Sequence, residues 1–98
     1  MNDKARLKLA VTKQFKRDLK KIIKQGKSKQ ALNDVIDMLQ QRQVLPSKYR
    51  DHALLGNYSS FRECHISPDW LLIYRVKAET TVQLLELART GSHSGLFG

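Results

Sequence analysis

The 98 residues predict a single α+β domain, with a helical hairpin packed on one face of a small, mainly antiparallel twisted sheet. Two observations carry this. Apolar residues alternate in four runs, near 7–12, 61–66, 70–76 and 82–90, whereas residues 13–41 follow a helical period. The strong breakers, Gly26, Pro46, Gly56 and Pro68, fall between these runs. The expected order is β-α-α-β-β-β.

In the first strand, "LKLAVT", Leu7, Leu9 and Val11 alternate with Lys8 and Ala10. Thr12 can cap a helix running to about Gln25, because its hydroxyl can accept a backbone N–H of the first turn. Phe15, Leu19, Ile22 and Ile23 form one apolar stripe on it, and Gly26 ends it. Ser28 caps a second helix to about Gln41, with Leu32, Val35, Ile36 and Leu39 as its stripe. So short a linker makes the two helices an antiparallel hairpin. Residues 44–60 lose periodicity and read as loop, with His52 inside it. Three strands follow, the first two joined by Ser67-Pro68-Asp69 and the last two by "KAET". The glycine- and serine-rich tail "GSHSGLFG" carries His93 and Phe97 where chains usually fray. The hairpin must bury its stripe on one sheet face, which leaves the other as a concave surface for chemistry.

Charge narrows the function. Eighteen Lys and Arg against nine Asp and Glu leave a formal charge of +9, which favours a polyanionic partner. The imbalance is concentrated in residues 4–29, where eleven cations from Lys4 to Lys29 face Asp18 alone. Lys13, Lys16, Arg17, Lys20 and Lys24 lie along the first helix, and such a face gives affinity without sequence choice. The longest apolar runs, such as "LLIY", are too short to span a bilayer, and Lys8 interrupts any leader-like segment. A lone cysteine, Cys64, fits a reducing compartment and reads as a small core residue. A cytoplasmic protein is expected. No cysteine or histidine spacing suggests a metal site, and no cofactor is expected.

Histidine can hold or release a proton near neutrality, and RNA cleavage needs little more. A base takes the 2′-OH proton, the oxygen attacks phosphorus, and an acid protonates the leaving 5′-oxygen. The candidates are His52, His65 and His93. Strand parity puts Phe61, Glu63 and His65 on one face and Arg62, Cys64 and Ile66 on the other. Cys64 and Ile66 read as core, which turns His65 outward. Asp69 after Ser-Pro is good turn chemistry, and Trp70 reads as core. Arg89 either supports a phosphate site or is a surface charge, and parity sets Arg62 apart from His65. Pattern alone supports a basic RNA-binding α+β domain and allows a nuclease.

"YRDHALLGNYSSFRECHISPDWLLIYRV" and "LARTGSHSGLFG" resemble the YafQ family of bacterial toxins, within the RelE/ParE superfamily. The shared elements are a "DH-x-L-x-G" loop, an "H-x-x-PDW-x-LIY" hairpin and a terminal "RTG-x-H-x-x-LF", spread over residues 44–98. The first half matches in pattern only. The resemblance implies a RelE-like fold and the toxin of a type II toxin–antitoxin pair. Such a toxin cuts mRNA codons in the ribosomal A site without a metal. His52, His65, Asp69 and His93 match the family's catalytic positions, and Phe97 matches a residue that holds mRNA. Arg62 and Arg89 are further candidates for phosphate contacts, and the lysine-rich helix would lie against ribosomal RNA. The implied partners are mRNA, the ribosome and a DinJ-like antitoxin with an acidic wrapping segment. Operator DNA would be reached through that antitoxin, and no membrane is involved. The rival readings are a non-cleaving ribosome binder, a ParE-like gyrase inhibitor, and a metal site built from the three histidines and Asp69.

Overall fold

A computed structural model describes residues 6–79 and 81–97, so Lys4 and the linker position 80 lie outside the described residues. Strand β1 (Lys8–Val11) leads into helices α1 (Lys13–Lys24) and α2 (Lys29–Gln40). Strands β2 (His52–Ala53), β3 (Arg62–Ser67), β4 (Trp70–Glu79) and β5 (Val82–Gly91) follow, then a short helix α3 (His93–Phe97). The sheet order is β1-β5-β4-β3-β2, antiparallel except for the parallel β1–β5 pair.

Both predicted caps form. The Thr12 hydroxyl accepts the Phe15 N–H at 2.9 Å and donates to the Ala88 carbonyl at 2.9 Å, so one side chain starts α1 and ties it to β5. The Ser28 hydroxyl accepts the Ala31 N–H at 3.2 Å and starts α2. Gly26, at φ 82°, turns the chain between them in a conformation that costs other residues about 1 kcal/mol or more.

The hairpin and the sheet share one core. Phe15, Ile22, Leu32, Val35 and Leu39 from the helices meet Cys64, Trp70, Leu72, Tyr74, Leu85 and Leu87 from the strands. Each large side chain so buried contributes roughly 1.5–3 kcal/mol. The α1 stripe is narrower than its periodicity suggests, because Ile23 is 41% exposed while Asp18 is buried. Leu9 and Val11 on edge strand β1 are also exposed.

Four differences from the expected fold bear on function. His52 sits in a two-residue strand rather than a loop, because β3 offers it a pairing edge. Much of "KAET" is strand, since β4 runs to Glu79. The tail is helical: Ser92 caps it, accepting the Gly95 N–H at 3.0 Å, and it lies close over Gly91. A side chain at 91 would place its Cβ 3.3 Å from Leu96. Finally, β5 carries a bulge at Ala88. Ile73 pairs with Arg89 but Tyr74 pairs with Leu87, so simple alternation fails there. Arg89 therefore shares the face of Ile73, opposite the core side of Leu87.

Candidate active site

The site begins with a short piece of backbone. Arg50 adopts a left-handed conformation, φ 49°, at the end of a 3-10 turn over Ser47–Tyr49. The carbonyl of Arg50 lies 2.7 Å from Nδ1 of His52. On β3, Nδ1 of His65 lies 3.3 Å from the Pro68 carbonyl across the hairpin turn. A carbonyl only accepts, so each ring carries its proton on Nδ1 and presents Nε2 as the free nitrogen.

Both Nε2 atoms point at Glu63. Its Oε1 is 3.4 Å from His52 and 3.6 Å from His65, and the two rings are 6.5 Å apart between centroids. Register explains the meeting: His52 pairs with Glu63 across β2–β3, and His65 is two residues further along the same face. Glu63 itself is buried, 4% exposed, whereas the His52 side chain is 50% exposed and that of His65 14%. A proton taken up at either Nε2 faces a carboxylate. The arrangement suits a base that must become a cation during its turn of chemistry.

Asp69 and His93 form the second part. The Asp69 carboxylate accepts the His93 backbone N–H at 3.2 Å, so the hairpin turn holds the start of α3. The His93 ring lies 5.4 Å from that of Phe97, and Phe97 packs edge-on against Tyr58 at 6.1 Å. The concave face is thus partly covered by the tail rather than bare.

The two arginines stand apart from the histidines. Arg62 pairs with Asp51 through Nη2 at 2.9 Å, and the Tyr74 hydroxyl bonds the same carboxylate. Burial pushes the Tyr74 phenol up, and Asp51 adds to the shift, so the hydroxyl stays a donor. The Asp51 bond holds the Arg62 guanidinium more firmly charged. Arg89 bonds buried Asp18 at 2.7 Å, which also accepts the Thr90 N–H at 3.2 Å and a Gln14 amide at 3.0 Å. Burial pushes the Asp18 carboxyl up, but these bonds from Arg89, Gln14 and Thr90 outweigh it and hold the group below the usual range.

Trp70 is buried, its N–H donating to Thr90 Oγ1 at 2.8 Å, which makes it core as expected. Burial pushes the Cys64 thiol up to about 12, with Asp51 and Glu63 adding to it, so it is no nucleophile. Lys13, Lys16, Arg17, Lys20 and Lys24 are all exposed along α1. Strand parity places Glu63 on the His65 face without indicating a role for it. The signal is present, since an acid between two outward strand positions opposite "DH" can meet both rings.

Residues 7–98 match the family described as a bacterial toxin of type II toxin–antitoxin system, YafQ. The chain belongs to that family. The mRNA interferase toxin YafQ of Escherichia coli K12 is 37% identical over 86 residues, which cover 87% of this chain and 89% of the relative. A putative toxin YafQ of Haemophilus influenzae is 34% identical over 97 residues, 96% of this chain and 95% of the relative. A solved chain of the E. coli DinJ–YafQ toxin–antitoxin complex superposes with a TM-score of 0.84 at 33% identity, covering 95% of this chain and 99% of that one. A metal-bound toxin from Helicobacter pylori gives 0.84 at 43% identity, covering 93% and 99%. The fold is the RelE-like α+β arrangement of the YafQ structures. Among the described residues, no cluster of three or more His, Cys, Asp or Glu is placed to hold a metal ion. No helix among them is long and apolar enough to cross a membrane.

Proposed function

We propose that this toxin is an mRNA interferase that cuts the codon in the ribosomal A site by metal-independent acid–base chemistry. The observation that carries the reading is the pair of histidine Nε2 atoms flanking buried Glu63 at the edge of the sheet. His52 or His65 takes the 2′-OH proton at Nε2, and the 2′-oxygen attacks the adjacent phosphorus. His93, carried on the tail helix, protonates the 5′-oxygen as its bond to phosphorus breaks. The products are a 2′,3′-cyclic phosphate and a 5′-hydroxyl. Asp69 positions His93 through the backbone N–H it accepts. Arg62 uses Nε and Nη2 on Asp51, and its remaining donors are available to a phosphate. Arg89 would have to share Asp18 to do the same. Phe97, 44% exposed, would hold the mRNA.

The E. coli relatives, one named an mRNA interferase and another solved with DinJ, support both the activity and a cognate antitoxin. An acidic antitoxin segment that wraps the +9 surface would neutralise the toxin, and the pair would reach operator DNA through the antitoxin. The exposed cations of α1 would contact ribosomal RNA, and the work would be done in the cytoplasm, where translating ribosomes are.

The test is cleavage of a translated message, mapped by primer extension with and without ribosomes. His65→Ala and His93→Ala are each expected to lower the cutting rate by about 10²–10⁴. If both leave ribosome-dependent cleavage unchanged, the catalytic assignment is wrong. Growth inhibition with intact message would show a binder rather than a nuclease.

A further inference from the structure

Four aromatic rings and a guanidinium form a continuous line. Starting from His93, ring centroids step 5.4 Å to Phe97, 6.1 Å to Tyr58 and 6.3 Å to Phe61, where the Arg75 guanidinium lies 4.5 Å over the ring. Neighbouring rings meet edge to face, at 88° and 68° on the two sides of Tyr58. Two of the rings still reach solvent: Tyr58 is 43% and Phe97 44% exposed.

The line is built to stay in place. Tyr58 and Phe61 belong to a loop closed by backbone bonds, Leu54 N–H to the Phe61 carbonyl at 3.0 Å and Phe61 N–H to the Tyr58 carbonyl at 2.8 Å. Arg75 is fixed on its other side by Glu86 at 2.7 Å. A pair of half-exposed rings on so firm a support has little conformational entropy left to lose on binding. Unpaired RNA bases are recognised chiefly by stacking on exposed aromatic side chains, and every base has a face to stack.

We propose that Tyr58, braced by Phe61 and Arg75, is a base-stacking platform that extends the RNA path from the tail away from His93. The occupant is a nucleotide of the single-stranded message flanking the cut, held without regard to base identity. This rests on the RNA-cutting reading above. It gives Tyr58 a part in affinity and register, and none in proton transfer or codon choice.

The experiment measures binding of a labelled 2′-O-methyl decanucleotide, which cannot be cut, by fluorescence anisotropy. A matched strand with abasic internal positions keeps the phosphates and removes the stacking. Wild type should bind the base-bearing strand at least about fivefold more tightly than the abasic one. Tyr58→Phe should keep that preference, and Tyr58→Leu, which keeps apolar cover over the sheet, should lose most of it. Equal binding of the two strands by wild type, or an unchanged preference in Tyr58→Leu, would overturn the platform and leave the rings as packing between the 54–61 loop and the tail helix. Should Tyr58→Leu fail to fold, as judged by its circular dichroism melt, Tyr58→Met is read in its place by the same criterion, because Phe97 alone could give the wild-type preference. A wild type that prefers the base-bearing strand yet cuts no translated message would sink the nuclease reading and leave the platform standing.

Discussion

Glu63 is the residue whose setting says most about the site. A buried carboxylate is costly unless it is bonded, and the groups beside it are the Nε2 atoms of His52 and His65, which pair with it only once they have taken up a proton. Natural selection for stability alone would favour an apolar residue at a buried strand position facing another strand. Glu63→Gln keeps the shape and removes the charge, so it separates the two uses. The kcat for ribosome-dependent cleavage should fall about 10- to 100-fold, on the scale of losing one charged hydrogen-bond partner. A thermal melt shows whether the fold survives. Unchanged kcat would make Glu63 a structural residue only.

At the scale of elements, the join between α1 and the end of β5 depends on Asp18. Its carboxylate gathers Arg89, the Thr90 N–H and Gln14 where β1 has ended and β5 would otherwise have an open edge. Thr90 in turn receives the Trp70 N–H and donates to the Leu71 carbonyl at 2.7 Å. Asp18→Asn should cost on the order of 2 kcal/mol, since Arg89 is partly solvated and the amide can keep some of the bonds. The sign of the pH effect follows from the lowered carboxyl. The stabilisation is full above the ordinary aspartate range, about pH 4, and is lost as pH falls through the depressed folded value. Denaturant melts at neutral and acid pH should therefore converge for wild type and Asp18→Asn as the acid is increased. A gap that stays constant down to pH of about 2 would contradict the assignment.

The same scale shows what a sequence can and cannot reveal. Strands β3 and β4 are legible because their apolar residues alternate or run together, and both long helices because stripe and cap agree. Strand β2 is not, since two residues carry no period and exist as strand only through β3. Helix α3 is hidden by glycine and serine, and it depends on Asp69 and Ser92, far apart in sequence. The Ala88 bulge erases the parity that would otherwise place Arg89. Of the site, the titratable residue types are visible, while the convergence on Glu63 needs the register of two strands.

The whole molecule adds a field to this geometry. Its +9 charge is carried largely by α1, whose Lys13, Lys16, Arg17, Lys20 and Lys24 are exposed, while His52 and His65 sit on β2 and β3 at the other side of the sheet and His93 on α3. The cationic helix and the proposed catalytic histidines are therefore on different elements, and each can be changed without the other. If α1 contacts ribosomal RNA, each lysine on a phosphate releases a counterion, and affinity falls steeply with salt. Replacing Lys16, Lys20 and Lys24 together with alanine should weaken ribosome binding. It should also lower the slope of log affinity against log salt by about 3, one for each lysine removed from a phosphate. None of the three has a bond to the histidine pair or to Glu63, so cleavage at saturating ribosome should keep its kcat. Filter binding over a salt series measures the slope, and an unchanged slope would move the ribosome contact off α1.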